Sequence, residues 1–271
     1  KIENAICIHE EDQGIGWNHW DWRTDHAEVR RLRRLVISSI STVGNYEYAS
    51  YWYLYQHGGI EFEMKATGII NTVACEPGKP SRYGNEVMPG VMGQIHQHIF
   101  CARLDMDVDG TENSVVECNI VVPPKGPENP YGNAFYEEAT TLKTEKAARR
   151  RVSPATQRYW KIVNPNVRNG VGRPTAYKLE ATSPVMVFTD PTSASGRRGG
   201  FIQNHVWVTP FSARERYPAG DYVNQSEGGL GLPQWTEADR KTENTDVVVW
   251  HVFGLHHSVR PEDFPVQPVV T

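Results

Sequence analysis

The stretch from Leu35 to Ala74 constrains the fold more than any other part of the chain. Leu35-Val-Ile-Ser-Ser-Ile40 is rich in β-branched residues, which favour extended backbone. Tyr48 to Tyr55 carries four tyrosines and a tryptophan in eight residues. His57-Gly58-Gly59 then supplies a turn, and Ile60 to Ala66 alternates apolar with polar side chains. Two such runs around a glycine turn predict a β-hairpin. Ile95 to Leu104 and Asp246 to Leu255 read as further strands. Residues 76–93, with three prolines and four glycines, read as a loop, as do 123–134 and 209–233. Glu137 to Arg151 fits either a short helix or a charged strand pair. The basic runs Arg149-Arg150-Arg151 and Arg30-Arg31-Leu32-Arg33-Arg34 read as solvated faces, although alternation in the second can aim one arginine inward. There is no repeat, no low-complexity tract and no clean linker. The expected fold class is all-β: one large antiparallel β-sandwich with few short helices, occupying residues 1–271 as a single domain.

Composition narrows the function classes. A net charge of −4 gives no electrostatic reason to expect nucleic acid. No apolar run is long enough to span a bilayer, and no signal peptide opens the chain, so no membrane partner is expected. The compartment is left open. The first residues, Lys1-Ile2-Glu3-Asn4-Ala5-Ile6-Cys7, and the last, Pro265-Val266-Gln267-Pro268-Val269-Val270-Thr271, suggest a piece of a longer polypeptide. Cys7, Cys75, Cys101 and Cys118 match neither a zinc knuckle nor a redox pair, and read as buried or half-buried thiols. Asn224-Gln225-Ser226 is the sole glycosylation sequon.

The chemistry-bearing motif is Gln94-Ile95-His96-Gln97-His98-Ile99-Phe100. On a strand, residues two apart share a face, so His96 and His98 project together and can reach one ion. A third imidazole has eight candidates: His9, His19, His26, His57, His205, His251, His256 and His257. The strand that ends in His256-His257 can supply only one of that pair, and periodicity does not choose. Shortly after His98, Asp105, Asp107, Asp109 and Gly110 imitate the opening of an EF-hand loop, but its twelfth position is Val116 and no helical pattern precedes it. Asp105 and Asp107 share a face and can hold a hard cation, or they form a solvated acidic turn.

Asn45-Tyr46-Glu47-Tyr48 resembles the Asn-Tyr-(Asp/Glu)-Tyr signature of copper amine oxidases. Further matches follow in the family's order: residues 4–12, 96–107, 217–225 and 254–265. The resemblance implies that Tyr46, next to Asn45, is the precursor of topaquinone, a cofactor made from the enzyme's own side chain. It implies copper on His96, His98 and His257, which selects the second histidine of the pair. It implies a calcium-like second site built from Asp105, the backbone of Met106, Asp107, Asp246 and the backbone of Val247. The implied reaction is oxidative deamination of a primary amine with O2, giving aldehyde, ammonia and hydrogen peroxide. The implied assembly is a homodimer. The family's aspartate base aligns before Lys1, and none of Asp12, Asp21 or Asp25 matches it. Gln267 stands where the family usually has Met. A disulfide from Cys7 is not expected. A copper-binding β-sandwich without its base and a zinc hydrolase are the competing readings; the second leaves Asn45-Tyr46-Glu47-Tyr48 unexplained. The amine is not named by the sequence.

Overall fold

The computed structural model describes residues 2–271. Nearly all regular structure is β-strand, as the sequence predicts; among the described residues the helices are two short α-helices, α1 (Ala194–Arg198) and α2 (Leu232–Trp235), and a few 3-10 turns. The chain divides into two compact units, one running to His96 and resuming at His257–Thr271, the other formed by Gln97–His256.

In the first unit, β1 (Cys7–Asp21), β2 (His26–Val43), β3 (Tyr46–Tyr55) and β4 (Ile60–Gly68) follow one another in an antiparallel meander. The predicted hairpin is β3–β4, with Trp52 opposite Phe62 and Tyr48 opposite Ala66. A small second sheet contains β5 (Thr72–Ala74), β6 (Gly84–Met88) and β7 (Val91–Gln94). The loop expected over 76–93 is therefore partly strand. Its prolines sit in the turns, and its strands are too short for alternation to register. Tyr46, Ile70, Val87 and Val259 form this unit's buried cluster, with Tyr48, Val91 and Phe264 against it.

In the second unit lie β8 (His96–Asp105), β9 (Ser114–Val121), β10 (Tyr136–Leu142), β11 (Tyr159–Arg168), β12 (Pro174–Leu179), β13 (Val206–Pro210) and β14 (Val247–His257). β8 starts on the last residue of the first unit, and β14 ends on the residue where that unit resumes. One sheet has the order β10-β9-β11-β12 and another β13-β14-β8. The segment 137–151 is strand β10 followed by turns, so the helical option fails there. Val115, Trp160, Val206, Val208 and Val249 anchor one core cluster; Trp207, Leu232, Val248 and Trp250 anchor another. Finally β15 (Gln267–Val270) adds to β4 at the edge of the first sheet.

Two expectations need correction. Arg150 does not face solvent alone: its guanidinium grips buried Glu117 through two contacts of 2.6 Å, and Trp160 Nε1 donates to the same carboxylate at 3.2 Å. A carboxylate paired this way can sit inside a core, which its charge in the sequence conceals. Cys7 is exposed rather than buried; Cys75 and Cys101 are half-buried, Cys118 is buried, and none forms a disulfide. In the other basic run, Arg34 is the arginine aimed inward: its side chain is 14% exposed against 63% for Arg31.

Candidate metal and phenol centre

Tyr46 opens β3 directly after the turn at Gly44-Asn45. Its cross-strand partner is Gly68, at φ +104°. A Cβ there would stand 2.6 Å from the Asn45 carbonyl and 3.1 Å from Tyr46 Cα. Only glycine lets β4 close on this corner. The Asn45 carbonyl accepts from the Ile69 N–H at 2.8 Å, and the Asn45 amide reaches Asn71 Oδ1 at 3.4 Å. Tyr46 is 5% exposed. Burial pushes its phenol above the ordinary value; the Asn71 N–H works the other way, and the Asp263 carboxylate adds to the rise.

The phenol oxygen lies 2.9 Å from His96 Nε2. His96 Nδ1 is 2.8 Å from the Gln94 carbonyl, which can only accept. Nδ1 therefore carries the proton, Nε2 carries the lone pair, and the phenol O–H donates to it. His257 is set the opposite way round. Its Nε2 faces Asp263 Oδ2 at 3.0 Å, so the proton sits on Nε2 and the lone pair on Nδ1. Asp263 is fully buried at the end of the 3-10 turn Pro261–Asp263. Burial alone would raise its pKa, but the Arg260 guanidinium and N–H, with His257, hold it below the usual carboxylate range.

His98 is 6% exposed and stands two residues along β8 from His96. The ligand nitrogens of His96, His98 and His257 all lie within 4.8 Å of one another. The His96 and His257 rings are 4.9 Å apart at 62°. His256 is exposed and packs edge-on against Phe188 instead. His9, His19, His26 and His57 lie on the surface, and His205 and His251 are not part of the group. Gly254 makes the β8–β14 approach possible: a Cβ there would lie 2.1 Å from the His98 carbonyl.

A second group forms where β8 ends and β14 begins. Carboxylate oxygens of Asp105, Asp107 and Asp246 fall within 4.8 Å of one another. Met106 lies between the first two, and Val247 follows the third. Burial raises the Asp246 pKa, and Asp105 and Asp107 raise it further. A hard cation among the three oxygens would offset the repulsion that Asp105 and Asp107 exert on Asp246. Asn113 braces the following loop, its side chain bonding the Val108 N–H and the Val108 and Gly110 carbonyls at 3.0–3.1 Å.

Asp263, Gln94 and Arg260, which orient the histidines, were missed as individual residues in the sequence. Asp263 carries one usable signal: it closes Arg260-Pro-Glu-Asp263, where proline begins a short turn and an aspartate three residues on can bond back to its start.

Three imidazoles close enough to share one ion, two of them with oriented lone pairs, beside a buried phenol on a β-rich scaffold are the donor set of a transition-metal centre. The chain belongs to the copper amine oxidase family, whose description "Copper amine oxidase, enzyme domain" matches residues 1–271. It is 49% identical over 271 residues to a histamine oxidase of Arthrobacter globiformis, covering 100% of this chain and 39% of that protein. It is 44% identical over 272 residues to a copper-containing, peroxisomal diamine oxidase of Nicotiana tabacum, covering 98% of this chain and 35% of the relative. The crystal structure of a copper-containing benzylamine oxidase from Hansenula polymorpha superposes with a TM-score of 0.94 at 36% identity, over 98% of this chain and 42% of that one. The chain thus spans about two fifths of the length of these relatives.

Proposed function

We propose that the protein takes part in oxidative deamination of primary amines by O2, with copper held by His96, His98 and His257 and with topaquinone formed from Tyr46. The observation that carries this reading is the phenol of Tyr46, buried, with its oxygen 2.9 Å from His96 Nε2. The donor set fits copper: neutral imidazoles suit it, and the hydrogen bonds to Gln94 and Asp263 leave a lone pair on Nε2 of His96 and Nδ1 of His257. When bound, copper would supply the Lewis acidity and redox couple through which O2 can oxidise the phenol ring to a quinone, whose carbonyl is the electrophile toward an amine.

The chain's own residues do the rest. The Gln94 carbonyl and Asp263 hold the two imidazoles in complementary tautomers. Once His96 Nε2 gives its lone pair to the ion, the phenol O–H loses that acceptor and its oxygen is left beside the ion's charge, which favours loss of the proton. Burial among Ile70, Val87 and Val259 keeps water from the ring. Asn45 fixes the turn that aims it. Asp105, Asp107 and Asp246, with the backbone carbonyls of Met106 and Val247, are proposed to hold a hard cation such as calcium.

The general base is proposed to come from outside these residues. Asp12 is tied to Arg31, Asp21 to Arg23, and Asp25 accepts from Trp20, all on the surface. That favours a second reading, a copper-binding portion that makes its quinone but lacks its own base. The two are separated by adding copper and then O2 to apo-protein. Visible absorbance and a positive quinone stain are expected, and both are expected to vanish in Tyr46→Phe while copper still binds. Colour retained in Tyr46→Phe would rule out Tyr46 as the precursor. Colour without turnover of a primary amine selects the second reading. We further propose that the protein pairs with a second copy of itself.

A further inference from the structure

We infer that Gln97, between the two histidines of β8, is a positioning residue that clamps the metal-bearing strands to a brace formed by residues 183–188. This rests on copper being held by His96, His98 and His257. Alternation sends the Gln97 side chain to the face opposite its two neighbours. There its amide makes a closed pair of bonds with an irregular, extended segment: Nε2 donates to the Met186 carbonyl at 2.7 Å, and Oε1 accepts from the Phe188 N–H at 3.2 Å. In extended backbone the carbonyl of one residue and the N–H two residues on point the same way, so a primary amide matches them as a neighbouring strand would. β8 is the outer strand of its sheet, and Gln97 supplies the missing ladder at this point.

The same segment reaches β14. The Ser183 carbonyl accepts from the Gly254 N–H at 3.1 Å, and the Phe188 ring stands edge-on to His256, 5.7 Å away at 87°. It is also pinned from behind. Val152 N–H donates to His205 Nδ1 at 3.3 Å, so His205 Nε2 carries the proton and donates to the Val185 carbonyl at 3.2 Å. Residues 183–188 therefore touch β8 between His96 and His98 and touch β14 at the residue before His257. A segment fastened to both strands sets the spacing and roll of the imidazoles on the far face. Phe188 is 73% exposed, so burial does not account for its placement; its backbone bond to Gln97 does.

The test measures Cu(II) affinity of the apo-protein by competition with a chelator, together with the electron paramagnetic resonance spectrum of the bound ion. Gln97→Leu removes both amide bonds and is expected to weaken copper by about 10–100-fold, as loss of a group that orients ligands does, and to alter the hyperfine splitting. Gln97→Glu keeps the acceptor for Phe188 but sets a carboxylate against the Met186 carbonyl, and is expected to weaken copper to a similar degree. Phe188→Ala should give a smaller loss in the same direction. Wild-type affinity and spectrum in folded Gln97→Leu would overturn the proposal. Should that variant not fold, unchanged copper affinity and spectrum in Gln97→Glu overturn it instead. Failure of the unsubstituted protein to bind copper would overturn the reading of the triad itself, a result distinct from either.

Discussion

An imidazole has two nitrogens, and the partner of one decides what the other can do. His96 and His257 show this in opposite senses, one spending Nδ1 on a carbonyl and the other spending Nε2 on a carboxylate. A third histidine shows what happens without such a partner. His251 on β14 has a buried Nε2 that no group bonds. Burial, with a smaller contribution from nearby His205, drives its pKa down to about 4. The folded state therefore keeps His251 neutral while the unfolded chain protonates it near the ordinary value. Its contribution is whole above about pH 6.5 and is lost as pH falls toward 4. His251→Phe keeps the stacking on Phe253, now 5.6 Å between ring centres, and removes the titration. We expect chemical denaturation to show the native protein losing roughly 1–2 kcal/mol more than this variant between pH 7 and pH 5; equal losses would mean His251 is not the source. At this scale the sequence is generous with ligands and silent about their orienters. The spacing of His96 and His98 is visible because strand period fixes their common face. Nothing local marks the Gln94 carbonyl, and the turn that Asp263 closes does not say which histidine it orients, since each acts through a fold the pattern does not describe.

Among the elements, legibility follows the contrast between faces. β3, β4, β8 and β14 each bury part of one face or end in a recognisable motif, and the sequence predicts all four. β1 and β2 as far as Arg31 are largely exposed on both faces, so little alternation develops before Leu32 and Arg34 turn inward. β9 hides its place in the core by carrying Glu117 there, neutralised by Arg150. The choice of His257 over His256 needed the family resemblance, because two neighbours on a strand carry equal periodic weight. The structure supplies the physical distinction in the close packing of β14 on β8. Gly254 is the point of closest approach, where an added methyl would meet the His98 carbonyl and stand 3.0 Å from Ile99 Cα. Backbone cannot yield as a flexible side chain can. Gly254→Ala is expected to force the strands apart, costing about 1–3 kcal/mol, the usual range for overpacking, or more. Copper affinity should fall with it, since His98 and His257 lie on the strands being separated. Denaturation and chelator competition measured on one sample check both; a loss of stability with copper affinity intact would show that the triad does not depend on this contact.

For the whole molecule, the division into two units left no trace in the sequence because its boundaries fall inside strands, at His96/Gln97 and His256/His257, rather than in a linker. The other large-scale feature is the ribbon formed by β1 and β2. β2 pairs with β3 only from Arg34 onward, so the stretch from Asp12 to Arg33 continues as two strands alone. Two-stranded ribbons are marginal in water. The ion pairs along this one, such as Arg31 with Asp12, are exposed to solvent that screens them, and they stabilise it little. Yet it displays Ile15, Trp17, Trp20, Trp22 and Val29, with Trp22 73% exposed. Covering a side chain of this size contributes about 1.5–3 kcal/mol, so a surface that takes up this ribbon gains more than the ribbon's own ion pairs supply. A second copy is the expected occupant, because in an interface with two-fold symmetry every contact occurs twice. We expect sedimentation equilibrium to give a dimer at micromolar concentration. Replacing Trp20→Glu and Trp22→Glu together should yield a monomer that stays folded, because neither side chain belongs to a core cluster, though one that melts lower than the dimer. A protein that stays monomeric without substitution, or a dimer indifferent to the double change, would assign the cover of these tryptophans to something other than a second copy.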